Sequence, residues 1–230
     1  MIKIKGLQKL TLLDFPERIA CTVFLGGCNF RCPFCHNASL VLPERFGEDI
    51  TEDGFFDFLA SRQGRLSGVC VSGGEPTLYR ELPYFLEKIK KMGYATKLDT
   101  NGYNPKMLED LIAERLVDYV AMDIKNSRER YGETAGLAAL DISLIEKSAE
   151  LLMKCGVPFE FRTTVCRELH TEEDIRKIGE WLRGEEKFYL QSFKNSGDIL
   201  GGDFSAYSDE EMKKLHLILK EYIRGASLRV

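Results

Sequence analysis

Three cysteines within one short segment are the residues of this sequence best suited to chemistry. Cys28, Cys32 and Cys35 lie in the segment 26–37, which reads GGCNFRCPFCHN. Thiolates are soft ligands that suit iron–sulfur clusters, and three of them on a short loop can bind three irons of a cubane cluster. Because no fourth cysteine lies nearby, the pattern predicts a 4Fe-4S cluster with one iron left open for another ligand.

A zinc site is the alternative for the same cysteines. It would need His36 or the distant Cys70 as a fourth ligand. Zinc ligands usually form two separated pairs, and the adjacent side chains of Cys35 and His36 do not easily aim at one tetrahedral ion. Four other cysteines lie among apolar residues and are predicted to be buried, inert thiols: Cys21, Cys70, Cys155 and Cys166.

Further polar groups follow short apolar segments of the chain. They are Ser72–Pro76 (SGGEP), Asp99–Gly102 (DTNG) and Asp123–Lys125 (DIK), and Arg162 lies within another such segment. Because the carboxyl ends of parallel strands meet at one edge of a sheet, these groups are expected to form one composite site with the cysteines.

The apolar segments predict six strands separated by segments with helical periodicity. Continuous apolar character suits parallel strands that are covered on both faces. Thr51 is a predicted N-cap, and capping-box spacing occurs at Ser143…Glu146, Thr171…Asp174 and Ser208…Glu211. Six strand–helix units are too few for an eight-unit barrel, so a partial barrel or a doubly wound sheet is expected. The predicted strands are Ala20–Phe24, Gly68–Val71, Ala95–Asp99, Tyr119–Asp123, Phe159–Thr164 and Phe188–Gln191.

The composition of the 230-residue chain is that of an ordinary single domain. Its net charge is −4 with both signs interspersed, which gives no support for a nucleic-acid partner. No apolar run is long enough to cross a membrane, and the first residues lack the features of a signal peptide. The sequence therefore predicts a cytoplasmic protein.

The cysteine motif carries a family resemblance. Cys-x3-Cys-x2-Cys, with the aromatic Phe34 before its last cysteine, resembles the signature of the radical S-adenosylmethionine (SAM) superfamily. The continuation His36-Asn37 is similar to the glycyl-radical-enzyme activases, which include the pyruvate formate-lyase activase. The opening stretch 6–16, GLQKLTLLDFP, resembles the activating proteins of anaerobic ribonucleoside-triphosphate reductase.

The resemblance extends over nearly the whole chain and implies the architecture. It implies a single radical SAM domain over residues 1–230, an α/β fold in the form of a partial (β/α)6 TIM-like barrel with parallel strands. Residues 1–18 would be an extension that leads into the first strand. Residues 19–193 would form the strand–helix core, and residues 194–230 a C-terminal loop and helix.

The resemblance also implies a role for each motif. Cys28, Cys32 and Cys35 would bind the cluster, and the Gly-Gly-Glu motif would bind the amino group of SAM. A monovalent cation would bind at Asp99, Thr100, Met122 and Asp123. Each motif also has a structural alternative. The Gly-Gly-Glu motif could be only a tight turn, and the motifs at Asp99 and Asp123 could be solvated surface turns. Arg162 could pair with Glu160 or another surface acid. The predicted cofactor contacts are Phe34, His36, Gly73, Gly74, Glu75, Asp99, Asp123, Lys125, Arg162 and Val165.

Two departures from the family pattern concern the predicted SAM site. Cys166 stands where the family often has proline after the fifth strand. Some activases place a histidine on the sixth strand to contact ribose, whereas this chain offers Gln191 and Phe193. The ribose contact is therefore unassigned.

The implied function is that of an oxidoreductase that activates another enzyme. The cluster, reduced by flavodoxin or ferredoxin, would cleave SAM to a 5′-deoxyadenosyl radical, which removes hydrogen from a glycine of a glycyl radical enzyme. The expected partner is anaerobic ribonucleoside-triphosphate reductase. The alternatives are pyruvate formate-lyase or another glycyl radical enzyme as partner, a radical SAM enzyme acting on a small molecule or peptide, and a non-catalytic iron–sulfur or zinc module.

Overall fold

The computed structural model describes residues 2–185, 187–195, 197 and 199–229, which fold around one eight-stranded sheet. Each strand pairs with the next; β1 is antiparallel to β2, and the later pairs are all parallel. This is the single-domain α/β fold with parallel strands that the sequence predicts. In chain order the strands are β1 (Ile4–Thr11), β2 (Ala20–Leu25), β3 (Gly68–Gly73), β4 (Ala95–Thr100), β5 (Tyr119–Asp123), β6 (Phe159–Val165), β7 (Phe188–Ser192) and β8 (Ser227–Arg229).

Helices follow the parallel strands and bury apolar residues at helical spacing. In the helix 82–91, for example, Phe85, Leu86 and Ile89 are buried in the core. Within the described part of the chain, no helix is long and apolar enough to cross a membrane. The helices are α1 (Ala38–Val41), α2 (Glu52–Ser61), α3 (Leu82–Lys91), α4 (Pro105–Ala113), α5 (Tyr131–Ala135), α6 (Ile142–Lys154), α7 (Glu172–Trp181) and α8 (Asp209–Lys220).

The six predicted strands correspond to β2–β7, and the sheet has one further strand at each end. Each predicted strand begins at the observed residue and ends within two residues of the observed end. The sequence misses β1 because this strand lies at the edge of the sheet, where Gln8, Lys9 and Leu10 are exposed and obscure the apolar pattern. It misses β8 because that strand has only three residues.

Three of the four predicted helix starts are confirmed. The Thr51 side chain accepts a hydrogen bond from the Gly54 N–H, and complete capping boxes begin at Thr171 and Ser208. The prediction at Ser143 is wrong. Asp141 caps α6 instead by accepting from the Ser143 N–H at 3.0 Å, because aspartate is an equally good N-cap and lies two residues earlier.

Candidate functional site

A cavity of about 290 Å³ lies where β2–β7 end. Residues at the carboxyl end of each of these strands line it, together with Cys28, Cys32 and Cys35. The structure therefore brings the cysteines and most other predicted site residues together, as expected for strands that end at one edge. The other predicted residues that line the cavity are Phe34, His36, Gly73, Gly74, Asp99, Thr100, Asp123, Lys125 and Arg162.

Three predicted site residues, Glu75, Met122 and Val165, lie behind the cavity wall with fully buried side chains. Met122 and Val165 belong to the apolar core, whereas Thr164 lines the cavity. Adjacent residues of a strand face opposite sides of the sheet, so β6 can present only one of Thr164 and Val165 to the cavity. A contact of Met122 or Val165 with a ligand in the cavity would have to use backbone atoms.

The cysteine loop, residues 26–37, contains no helix or strand. Backbone hydrogen bonds from segments distant in the sequence hold it in place. These bonds satisfy polar groups of a partly buried, irregular segment, so the loop has a defined course without secondary structure. They run from Gly27 N–H to Leu40 C=O at 2.7 Å, from Arg31 N–H to Ala135 C=O at 2.9 Å, from Leu200 N–H to Cys35 C=O at 3.1 Å and from Gly201 N–H to Pro33 C=O at 3.0 Å.

Two buried aromatic side chains anchor the same loop. Phe30 and Phe34 are both nearly inaccessible to solvent. The Phe34 ring lies edge-on to the rings of His170 and Phe204, with centroid distances of 6.1 and 6.3 Å. Such pairs add to the stability that burial of the rings provides, so apolar packing fixes the loop between its cysteines.

Gly73 and Gly74 allow the end of β3 to approach the start of the cysteine loop closely. A Cβ atom on Gly73 would lie 2.3 Å from the Leu25 carbonyl oxygen, and one on Gly74 would lie 2.0 Å from the Gly27 carbonyl oxygen. The φ angle of Gly73 is +124°, which residues with a side chain rarely adopt. The Gly74 N–H donates to Leu25 C=O at 2.9 Å, and the Glu75 N–H donates to Gly27 C=O at 2.8 Å. Gly73 therefore makes room for the backbone of Leu25 at the end of β2, and Gly74 for that of Gly27 in the loop. Both glycines also line the cavity.

The Glu75 carboxylate is buried beneath this turn and accepts four hydrogen bonds. Oε1 accepts from the Thr77 N–H at 3.0 Å, the Thr77 hydroxyl at 2.5 Å and the Thr100 hydroxyl at 2.8 Å, and Oε2 accepts from the Asn101 N–H at 2.7 Å. Burial raises the pKa of this carboxyl above its ordinary value, although the hydrogen bonds from Asn101 and Thr77 oppose the shift. Glu75 therefore joins the ends of β3 and β4, and its contact with the amino group of SAM stays a prediction.

Five charged side chains, Lys97, Asp99, Arg162, Asp123 and Lys125, form a row of alternating sign on β4–β6 and just beyond. The Lys97 ammonium pairs with Asp99 Oδ1, and Arg162 Nη1 lies 3.4 Å from Asp99 Oδ2. Arg162 Nη2 lies 2.9 Å from Asp123 Oδ1, and Lys125 Nζ lies 3.0 Å from Asp123 Oδ2. Each carboxylate is thus held between two cations, and the row has three positive and two negative charges.

These contacts keep the row ionised at neutral pH. Burial by itself would raise the pKa of Asp99 and Asp123, but their cationic neighbours, Arg162 above all, hold both below the ordinary range. Burial would likewise lower the pKa of Lys125 and Arg162, but Asp123 holds both above the ordinary range. The resulting net charge of +1 favours an anionic group in the cavity.

The thiols of Cys28 and Cys32 are not poised as thiolates without a metal. Burial raises the pKa of Cys28 to about 12, with a further contribution from Glu75, and burial raises that of Cys32 to about 11 against the effect of Lys125. A metal ion supplies the positive charge that converts such thiols into thiolate ligands. The Phe30 N–H donates to Cys28 Sγ at 3.3 Å, the kind of hydrogen bond that tunes cluster sulfurs.

Three residues that complete the site have no role assigned from the sequence, although Ser72 and Asn101 lie within its predicted motifs. Ser72 Oγ donates to Asp99 Oδ2 at 3.1 Å, and Asn101 Nδ2 donates to Asn29 Oδ1 of the cysteine loop at 2.8 Å. The third is Lys97. The sequence feature that could have identified it is its position two residues before Asp99 in an apolar strand. Residues two apart share a face, so this lysine had to find a buried anion.

The alternative partner of Arg162 and one of the two alternative zinc ligands have other neighbours in the structure. Glu160, the alternative partner of Arg162, accepts from both Nη atoms of Arg229 at 2.8 and 2.9 Å. Cys70, the alternative zinc ligand, is fully buried with its Sγ 3.8 Å from Lys97 Nζ. Cys21 and Cys166 are buried as predicted and Cys155 is half-buried, and all seven cysteines are free thiols.

The donor set fits a 4Fe-4S cluster and SAM. Three thiols line one cavity, and a cubane cluster takes each thiolate at a different iron. Among the described residues, no three His, Cys, Asp or Glu side chains meet closely enough to hold a single ion. Arg162 and Lys125 face the same cavity with positive charge, which suits the carboxylate of an amino-acid ligand.

Sequence comparison relates the chain to known proteins over its full length. Residues 22–182 match the family model of the Radical SAM superfamily. A Methanocaldococcus jannaschii protein assigned as a glycyl-radical enzyme activating enzyme is 31% identical over 98% of this chain and 95% of its own length. The pyruvate formate-lyase-activating enzyme of Clostridium pasteurianum is 29% identical over 97% of this chain and 99% of its own length.

Solved structures share the fold at lower sequence identity. SuiB from Streptococcus suis, bound to S-adenosylmethionine, superposes with a TM-score of 0.69 at 16% identity. The match covers 89% of this chain and 48% of SuiB, so the chain spans about half of that larger protein. QueE from Escherichia coli has a TM-score of 0.58 at 15% identity, with 100% of this chain and 94% of QueE covered.

Proposed function

The chain belongs to the radical SAM superfamily and, within it, to the glycyl-radical-enzyme activating enzymes, and we propose that its protein substrate is an anaerobic ribonucleoside-triphosphate reductase. Like the family, it is an oxidoreductase that uses a 4Fe-4S cluster and SAM. The observation that carries the site assignment is that Cys28, Cys32 and Cys35 line the same cavity as Arg162 and Lys125.

The cluster, when bound, supplies the electron for the reductive cleavage of SAM. In our proposal Cys28, Cys32 and Cys35 hold three irons and leave the fourth for the amino-acid part of SAM. Arg162 and Lys125 bind the SAM carboxylate, because charge-assisted hydrogen bonds in a partly buried site are strong. Asp99 and Asp123 keep these cations oriented, as their salt bridges with Arg162 and Lys125 indicate.

Apolar side chains and glycines have a second task in this proposal. Phe30 and Phe34 place apolar surface beside the cysteines, and Gly73 and Gly74 leave backbone accessible to the cavity. Exclusion of water around the cofactors suppresses side reactions of radical chemistry. The residues around the cavity thus orient and protect SAM, while the hydrogen atom comes from a glycine of the partner.

The opening stretch 6–16 supports the reductase as partner, because it resembles the activating proteins of that enzyme. It forms most of β1 and the turn that precedes β2. Asp14 Oδ2 accepts from the Thr22 hydroxyl at 2.6 Å, and the buried Phe15 lies 6.2 Å from the Tyr119 ring. Asp14 and Phe15 therefore anchor the stretch to the domain, whereas Leu10, Leu12 and Leu13 are exposed. The proposal also includes flavodoxin or ferredoxin as electron donor, in the cytoplasm.

The experiment that tests the proposal detects the radical in the partner. The reduced, cluster-loaded protein is mixed anaerobically with SAM and either the anaerobic ribonucleoside-triphosphate reductase or the pyruvate formate-lyase of its own source. Electron paramagnetic resonance should show a glycyl doublet with the reductase alone. A reductase variant with alanine at the radical glycine is the matched control and should give no doublet.

Other outcomes of this experiment identify the alternatives. A doublet with pyruvate formate-lyase but not with the reductase would transfer the proposal to that partner. Release of 5′-deoxyadenosine without a doublet from any candidate would indicate a small-molecule or peptide substrate. If the loaded, reduced protein releases no 5′-deoxyadenosine at all, the catalytic assignment fails.

A further inference from the structure

Lys97 is a buried cation that the proposed chemistry does not use. Its side chain is 1% exposed and lies on β4, two residues before Asp99 on the same face of the sheet. Its Nζ pairs with Asp99 Oδ1, lies 3.8 Å from Cys70 Sγ and lies 6.0 Å from the centre of the Tyr119 ring. The Asp99 carboxylate therefore supplies the counter-charge that a buried ammonium needs.

Asp99 connects this buried cation to the cavity. Oδ1 receives Lys97, whereas Oδ2 accepts from the Ser72 hydroxyl at 3.1 Å and lies 3.4 Å from Arg162 Nη1. Asp99 and Arg162 line the cavity, and Lys97 approaches Asp99 from behind the cavity wall. A change at Lys97 would therefore reach the cavity through Asp99 and Arg162.

The family resemblance implies a free monovalent cation at the same carboxylates, and the structure provides other cations there. The oxygens of Asp99 and Asp123 already contact Lys97, Arg162 and Lys125. A free cation would raise the net charge of the row from +1 to +2. Like charges repel strongly where water is scarce, so an additional cation is disfavoured while Lys97 is present.

We propose that Lys97 is the resident counter-ion of Asp99 and takes the place of the monovalent cation, so that this chain binds SAM without added K⁺ or Na⁺. Lys97 is a positioning residue, because it contacts Asp99 and reaches the ligand only through Arg162. The inference rests on the proposed function in one respect, namely that SAM is the ligand of the cavity.

The first test uses the cluster-loaded wild-type protein under anaerobic conditions. SAM binding is measured by calorimetry in buffers of equal ionic strength that contain tetramethylammonium, potassium or sodium chloride. We expect the three dissociation constants to agree within about twofold, because ionic strength alone acts equally in all three. Tightening of wild-type binding by tenfold or more in K⁺ or Na⁺ overturns the proposal.

The second test compares two variants that remove the same charge. Lys97→Ala leaves space for a cation, so SAM binding should weaken by about tenfold in tetramethylammonium and recover in K⁺ or Na⁺. Lys97→Met fills the space, so its binding should weaken without recovery. The control is Lys90→Met. Lys90 Nζ lies 2.7 Å from Asp118 Oδ1, and neither residue lines the cavity, so this variant should bind SAM like the wild type in every buffer. Failure of Lys97→Ala to recover in either cation contradicts the proposal.

The third test does not depend on SAM or on the partner enzyme. Equilibrium dialysis against rubidium chloride, followed by elemental analysis, should find about one more bound Rb⁺ per chain in Lys97→Ala than in the wild type. One tightly bound Rb⁺ in the wild type would refute the proposal even if the variants did not fold. Because no turnover is measured, failure of the glycyl-radical assay would leave this result standing and remove only the proposed function.

Discussion

The two walls of the cavity are built in different ways. The strand wall consists of the charged row Lys97, Asp99, Arg162, Asp123 and Lys125, most of it carried by β4–β6. Register fixes its spacing, since Asp123 lies opposite Arg162 in the pairing of β5 with β6. The loop wall is the cysteine loop 26–37, which has no strand or helix and depends on hydrogen bonds from distant segments.

The walls also differ in what they need from a ligand. Each carboxylate of the strand wall is paired with two cations, so the geometry of this wall exists before any cofactor binds. The thiols of Cys28 and Cys32 have raised pKa values and become ligands only when a metal displaces their protons. The SAM side of the site is therefore formed by β pairing alone, whereas the cysteine side is completed only when the cluster binds.

The largest expected effect comes from removing a ligand of the loop wall. Cys32→Ala should abolish SAM cleavage, because two thiolates do not retain the cluster securely. Anaerobic reconstitution followed by iron analysis and measurement of 5′-deoxyadenosine tests this. The circular dichroism spectrum should stay that of the wild type, since the strand wall does not require the cluster. Cys155→Ala, at a half-buried cysteine outside the cavity, should retain cleavage.

The next effect concerns the contact between the two walls. Gly74→Ala would bring a Cβ to 2.0 Å from the Gly27 carbonyl oxygen. We expect a loss of about 2–3 kcal/mol in the free energy of unfolding of the cluster-free protein, together with poorer iron loading. Urea denaturation and iron analysis measure the two quantities. Gly47→Ala meets no atom within 4 Å and should change neither; equal losses in both variants would show that the close contact is unimportant.

A smaller effect is expected at Glu75, which lies behind the cavity wall and joins the ends of β3 and β4. Glu75→Gln replaces a carboxylate oxygen with a donor that faces the hydroxyls and N–H groups of Thr77, Thr100 and Asn101. The free energy of unfolding should fall by about 1–2 kcal/mol, because at least one buried donor loses its acceptor. Urea denaturation measures the loss. Glu87→Gln, at an exposed pair with Lys91, should lie within about 0.5 kcal/mol of the wild type.

The smallest expected effect is a dependence of stability on pH. The pKa of Asp123 is held below its ordinary value, so its contribution is present above about pH 4 and is lost as the pH falls further towards the folded-state pKa. Urea denaturation between about pH 5 and pH 3 measures this contribution. Over that range the free energy of unfolding of Asp123→Asn should fall by about 1 kcal/mol less than that of the wild type. Asp110→Asn changes an exposed residue of α4, so its free energy of unfolding should fall with pH as that of the wild type does. If Asp123→Asn lost stability with falling pH as steeply as the wild type, ionisation of Asp123 would contribute nothing to stability.

Much of the strand wall could be predicted from the sequence. Continuous apolar segments located β2–β7, motifs at their ends marked Asp99 and Asp123, and Arg162 was noted within one of them. The partners of these charges could not be predicted, because register between strands decides them. Arg162 had Glu160 as a plausible partner on its own strand, yet the pairing of β5 with β6 places Asp123 beside it.

The loop wall was predictable only in its chemistry. The spacing of Cys28, Cys32 and Cys35 indicated a cluster, but no local pattern indicates which distant residues hold an irregular segment. The close contact of Gly74 with Gly27, and the hydrogen bonds from Leu200 and Gly201, come from the tertiary fold. Similarly, Lys97 looked unremarkable because a lysine in a strand is usually exposed.

The hydrogen bonds from Leu200 and Gly201 to the cysteine loop have a consequence for biosynthesis. They join two segments that leave the ribosome far apart in time, because the loop emerges early and its donors emerge late. Until translation has passed Gly201, the nascent cysteine loop lacks two of the bonds that hold it around Pro33 and Cys35. We therefore expect a nascent chain stalled before Leu200 to acquire iron less well than the released protein.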